Sequence, residues 1–240
     1  MLYLFFACIA IGMILLGVFL HLRVNGDRKK AVFVKSIVSV FFLLTLMTAT
    51  LAAGENADWK YTALLAGGLI LGLLGDIWLD LKYIYTQDSD FWTFAGFFVF
   101  MFGHFFYFAA VLYKHGIVHP LAAVFAAVSA VATVIVLLVL EKPTKMHYGK
   151  FKAITLVYGA ILVSMFALCL NTALFDGHGN AGILLMTVGG GLFIVSDLIL
   201  SGTYFGTGKN RPVDVITNHT TYYLAQYCIA ASALLVNVEF

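Results

Sequence analysis

The chain has 240 residues, of which 62% are hydrophobic and 11% charged, with a formal net charge of +2. A soluble domain is about half apolar and about a quarter charged, so this chain carries too few charges to cover a water-facing surface. No basic run interleaved with aromatics points to nucleic acid, and Cys8, Cys169 and Cys228 lie in apolar surroundings without a CxxC spacing, which speaks against a disulfide framework or a thiolate metal site.

The first apolar stretch, 1–22, lacks a basic leading region and a small-residue cleavage site, and reads as a retained span. Seven more follow at 32–53, 61–81, 92–113, 117–140, 153–173, 180–203 and 218–238. About 20 apolar residues suffice for a helix to cross the hydrocarbon core. Continuous apolarity, without alternation, selects helices over a transmembrane barrel. The connections are short, so successive helices should run antiparallel. The expected fold is an all-α polytopic bundle of eight transmembrane helices forming one membrane domain over 1–240, set in a bacterial cytoplasmic membrane.

Lysine and arginine fall unevenly between the spans. Arg23, Arg28, Lys29, Lys30 and Lys35 lie at the first connection, Lys82 at the third, Lys142, Lys145, Lys150 and Lys152 at the fifth, and Lys209 and Arg211 at the seventh. Only Lys60 and Lys114 lie on the other side. The positive-inside rule therefore predicts cytoplasmic odd-numbered connections and both termini outside.

Ionisable groups within apolar spans are costly and mark function by default. Span 3 carries Asp76 and Asp80, span 4 His104, span 7 Asp197, and span 8 His219, Tyr222, Tyr223 and Gln226. At 1.5 Å per residue, Asp76 and Asp197 each lie about 10 Å from the cytoplasmic end of their helix. Gln226 lies about 14 Å in and His104 about 20 Å in. Four helices thus bring polar groups into one half of the membrane, which predicts a pocket open towards the inner leaflet. Asp76 and Asp80 share a helix face, as do His104 with Tyr107 and Tyr222 with Gln226. Gly75 and Ser196 precede the two aspartates and allow close helix approach. Asp76 and Asp197 are 121 residues apart, and the same offset relates Gly68 to Gly189. That offset admits a chain of two parallel four-helix halves.

These residues resemble the YhhN-type lysoplasmalogenase family of multi-pass membrane proteins. The matching stretches are Leu74-Gly75-Asp76 with Leu79, Phe94-x-Gly96, Gly103-His104-x-x-Tyr107, Gly191-x-Phe193-x-x-Ser196-Asp197 and Tyr222-Tyr223-x-x-Gln226. Asp80 stands where the family pattern expects an apolar residue, and reads as an interfacial carboxylate outside the chemistry. The resemblance implies hydrolysis of the vinyl-ether bond of a lysoplasmalogen to a fatty aldehyde and a glycerophospho-ethanolamine or -choline. It implies Asp76 and Asp197 as the acid–base pair, with His104, Tyr107, Ser196, Tyr222, Tyr223 and Gln226 orienting them. Lys82, Lys209 and Arg211 are the candidates for the lipid phosphate. The expected partners are a lysophospholipid substrate and membrane lipids, with no nucleic acid, no metal and no cofactor. A small-solute or ion transporter and a non-catalytic lipid-binding protein are the alternatives, since a carboxylate pair can also relay protons or bridge helices.

Overall fold

A computed structural model describes residues 1–175, 179–206 and 211–238. Among the described residues the architecture is all-α, with eight long helices: α1 (Leu2–Val24), α2 (Arg28–Ala53), α3 (Trp59–Leu81), α4 (Ser89–His115), α5 (Pro120–Leu140), α6 (Lys152–Phe175), α7 (Ala181–Phe205) and α8 (Pro212–Leu235). Among the described residues, α1 to α7 are long and apolar enough to cross a membrane. α8 is as long, but its first turns carry Asp214, Asn218 and His219, so composition alone does not mark it. The chain is an integral membrane protein.

Local signals set the helix ends. Asp27, Asp58 and Asn180 each cap a helix, accepting from the backbone N–H of Lys30, Tyr61 and Ile183. Pro120 and Pro212 stand in the first turns of α5 and α8, where the missing N–H costs nothing. α4 ends at Gly116, whose φ of 66° suits a residue without Cβ. Every helix but α5 therefore starts or ends one to six residues outside its apolar stretch, most visibly α8, which begins six residues before 218, whereas α5 starts at Pro120, three residues inside its stretch. Capping is polar and hydropathy does not see it.

Successive helices pair as hairpins: α1 with α2, α3 with α4, α5 with α6 and α7 with α8. Further contacts run α2–α3, α4–α6, α6–α7 and α8–α2, closing a ring of six helices. α1 leans on the outside of this ring against α2 and α8, and α5 against α6. Small residues allow the closest crossings. A Cβ on Gly103 of α4 would stand 3.2 Å from the Gly68 carbonyl oxygen of α3. On the other hairpin, a Cβ on Gly189 of α7 would stand 3.0 Å from the Ala225 carbonyl oxygen of α8. Without a hydrophobic force between helices in lipid, such backbone proximity supplies the packing contacts that hold a bundle together.

Candidate active site

α3 delivers Asp76 and Asp80 one turn apart to the inside of the ring, both buried. α2 meets them with Lys35 and Ser39, also one turn apart and buried. Lys35 Nζ lies 3.2 Å from Asp76 Oδ1 and 3.6 Å from Asp80 Oδ2. Ser39 donates to Asp76 Oδ2 at 2.6 Å, and Tyr222 of α8 donates to the same oxygen at 2.8 Å. Three donors converging on two oxygens describe an ionised carboxylate. Arg23, at the end of α1, completes the charge balance: its Nη2 is 3.6 Å from Asp80 Oδ1 and its guanidinium lies over the Tyr83 ring.

A relay of side chains fixes this cluster from behind. Tyr107 of α4 donates to Gln226 Oε1 at 2.8 Å, and Gln226 Nε2 donates to the Tyr222 hydroxyl at 3.0 Å. Tyr222 in turn holds Asp76. Tyr223 is hydrogen-bonded to Ser39 at 2.9 Å. Buried polar groups left unpaired would each cost about 1–3 kcal/mol, so the relay also fixes which rotamer each group adopts.

Asp197 sits in a different setting. Its Oδ2 accepts a hydrogen bond from the Tyr158 hydroxyl of α6. Among the described residues it forms no ion pair. Ser196, beside it, ties α7 to α8: Asn218 Nδ2 donates to the Ser196 carbonyl at 2.7 Å and to its hydroxyl at 3.0 Å. Among the described residues His104 forms no hydrogen bond or ion pair with either aspartate. One ring nitrogen, Nδ1, is 2.8 Å from the Phe100 carbonyl, and its ring edges meet Tyr107, Tyr158 and Phe193. Among the described residues its buried Nε2 has no hydrogen-bond partner. It braces Tyr158 and Phe193 and does not enter the cavity.

Asp76 and Asp197 line one cavity. Arg23, Lys35, Tyr158, Asn218, His219 and Tyr222 line it with them. It lies in the half of the bundle that ends at Arg23, Tyr83 and Tyr204, next to the basic connections. Of the phosphate candidates, Lys82 is turned away from the cavity, its Nζ 2.9 Å from the centre of the Tyr204 ring. Burial pushes its pKa down to about 7. Arg211 is exposed and engaged with Asp214 through two side-chain hydrogen bonds. Lys209 lies outside the described residues.

A family model matches residues 30–233. This chain belongs to the YhhN family. The match runs from the first turn of α2 to the last turns of α8 and so takes in the whole cavity except Arg23. No curated protein and no solved structure matches the chain.

For a YhhN-family chain the aspartates, Tyr222, Tyr223 and Gln226 are legible as polar residues in apolar runs. Lys35, Ser39, Arg23, Tyr158 and Asn218 carry no comparable signal in the sequence. Lys35 and Arg23 read as cations of a connection, because they stand near the start or end of a span. Ser39 and Tyr158 are ordinary residues of apolar helices. Asp80, read as an interfacial carboxylate, is buried in the ion-pair cluster with Lys35 and Arg23. Among the described residues no group of three His, Cys, Asp or Glu side chains is arranged to hold a metal ion.

Proposed function

We propose that the chain is a membrane-embedded hydrolase that cleaves the vinyl-ether bond of a lysoplasmalogen, releasing a fatty aldehyde and a glycerophospho-ethanolamine or -choline. The observation that carries this reading is one cavity holding two aspartates in unlike surroundings. Asp76 has a lysine and two hydroxyl donors; Asp197 has a tyrosine hydroxyl and, among the described residues, no cation. Paired carboxyl groups whose environments differ are the arrangement expected of acid–base chemistry through an oxocarbenium-like cation.

The reaction needs a proton on the vinyl carbon remote from oxygen, then water on the carbon beside it. Asp197, neutral in apolar surroundings, gives that proton. The cation so formed is stabilised by the Asp76 carboxylate, which Lys35, Ser39 and Tyr222 hold in place. Water then attacks, and its proton returns to Asp197. The hemiacetal collapses to aldehyde and glycerol hydroxyl, and the enzyme is restored. Tyr158 positions Asp197, and His104 positions Tyr158. Ser196 with Asn218 and the Tyr107–Gln226–Tyr222 relay position the two halves of the site, with Tyr223 behind Ser39. Arg23, at the mouth, is the cation best set to meet the lipid phosphate, with Lys82 at the same end of the bundle.

The same reading takes α8 as an eighth span of a single membrane domain, with both termini on the non-cytoplasmic side and the cavity opening inward. The placement of basic connections supports it. Two parallel halves, α1–α4 and α5–α8, are supported by the matching neighbour pattern: α2–α3 answers α6–α7, and α2–α8 answers α6–α4. Asp76 bonded to α2 then corresponds to Asp197 bonded to α6.

The test is aldehyde release from lysoplasmalogen by purified protein, with Asp76→Asn and Asp197→Asn alongside. Release by the wild type, lost in both variants, supports the assignment. No release by well-folded protein beside an active control overturns it and brings aspartate-dependent transport into sealed vesicles to the front.

A further inference from the structure

A second cavity adjoins the first. It is open on one side and lies between α5, α6 and α7. Its walls include Thr133 and Leu137 of α5, Gly159 and Leu162 of α6, and Ile194 and Leu198 of α7. The Thr133 hydroxyl donates to its own helix at the Ser129 carbonyl, 2.7 Å away, so its side chain presents a methyl group. Phe97, Tyr158, Asp197 and Leu200 belong to both cavities. Asp197 thus stands at the junction between a charged chamber and an apolar groove. α5, the outer wall of the groove, lies outside the six-helix ring and packs chiefly on α6. Its Val131 and Val139 are 60% and 64% exposed, so this side of the bundle faces the hydrocarbon of the bilayer.

We infer that the groove between α5, α6 and α7 holds the hydrocarbon chain of a single-chain amphiphile whose headgroup lies in the charged chamber, and that Gly159 keeps the room for that chain. This rests on the reading of the chamber as a lysolipid hydrolase site. The continuity of the two spaces at Asp197 decides the occupant: a molecule spanning both must be polar at one end and apolar at the other. Its head–tail bond then falls beside the carboxyl group. The α6 wall from Thr155 to Val163 covers eight residue steps, about 12 Å of chain at 1.5 Å per residue. Gly159 faces α5 closely. A Cβ there would stand 3.0 Å from Leu137 Cδ1 and 3.6 Å from Thr133 Cγ2, so any larger side chain projects into the groove.

A 1-O-alkyl lysophosphatidylethanolamine with a diazirine near the chain end is the probe, since its saturated ether is not a substrate. Irradiation with the full-length protein in nanodiscs, followed by peptide mass spectrometry, is expected to label α5 and α6 around Leu137 and Leu162. Excess unlabelled 1-O-alkyl lysophosphatidylethanolamine should remove the label. Gly159→Leu should lower it about tenfold, the effect of losing roughly two buried methylenes. The same variant should raise KM for long-chain vinyl-ether substrates more than for short-chain ones. Leu137→Phe fills the groove from the other wall and serves if Gly159→Leu does not fold. Label elsewhere overturns the inference, as does label that lysolipid does not displace, which marks ordinary bilayer lipid. Displaceable label without aldehyde release keeps the groove and overturns the reaction; aldehyde release without displaceable label does the reverse.

Discussion

Lys35 Nζ lies 3.2 Å from Asp76 Oδ1 across the α2–α3 interface, with the two side chains only 5% and 3% exposed. Removing one partner of a buried ion pair leaves an uncompensated charge and costs about 3–5 kcal/mol. Lys35→Met should therefore lower the thermal midpoint in detergent markedly. Lys35→Met combined with Asp76→Asn should recover much of that loss, because neither charge is then left alone. The double variant should remain inactive. A double variant no more stable than Lys35→Met would show that the pair does not act as a unit.

Asp197→Asn should reduce aldehyde release by about 100-fold or more, the scale of a lost general acid. Tyr158→Phe removes only the hydroxyl that positions Asp197. It should cost less in kcat, with KM little changed, and should alter the pH profile of kcat as the carboxyl loses its donor. A Tyr158→Phe profile superimposable on that of the wild type would remove Tyr158 from the chemistry.

Gly103 sets how closely α4 approaches α3. A Cβ there would stand 3.2 Å from the Gly68 carbonyl oxygen, a backbone atom that cannot swing aside. Gly103→Leu should separate the helices and cost about 1–3 kcal/mol as overpacking. Gly68→Ala acts on a side chain instead, since its Cβ would meet Tyr107 Cε1. It should displace Tyr107 from Gln226 and lower activity while the protein still folds. Thermal denaturation beside turnover separates the two effects.

Lys82 gives a pH dependence of stability. Burial pushes its pKa down to about 7 from an ordinary 10.5, so between those values the unfolded chain binds more protons than the native one. Stability from this group therefore rises with pH through that window and is lowest below pH 7. Lys82→Met removes the term. The variant should gain most over the wild type near pH 6, and the gain should shrink towards pH 10. Midpoints measured across that range check it; a constant difference would contradict it.

The sequence by itself determined the class and most of the polar residues that gather inside the bundle. Long apolar runs must be helices in lipid, because every backbone N–H and C=O has to be satisfied within the segment. Asp76, Asp197, Tyr222, Tyr223 and Gln226 stand out because a polar group in such a run needs a reason. Their order and spacing carried the resemblance to the YhhN family. Only the tertiary structure decided which polar groups meet. Lys35 looks in sequence like one more cation of the first connection, and its burial depends on α2 crossing α3 at that height. Tyr158 is one aromatic among many until α6 stands beside α7. His104 sits near mid-membrane in sequence, yet its Nδ1 is hydrogen-bonded to the Phe100 carbonyl of its own helix and not to either aspartate. Hydropathy and periodicity describe each helix along its own axis. Pairing between helices depends on their rotation and mutual depth, which small residues such as Gly68, Gly103 and Gly189 set through backbone contact.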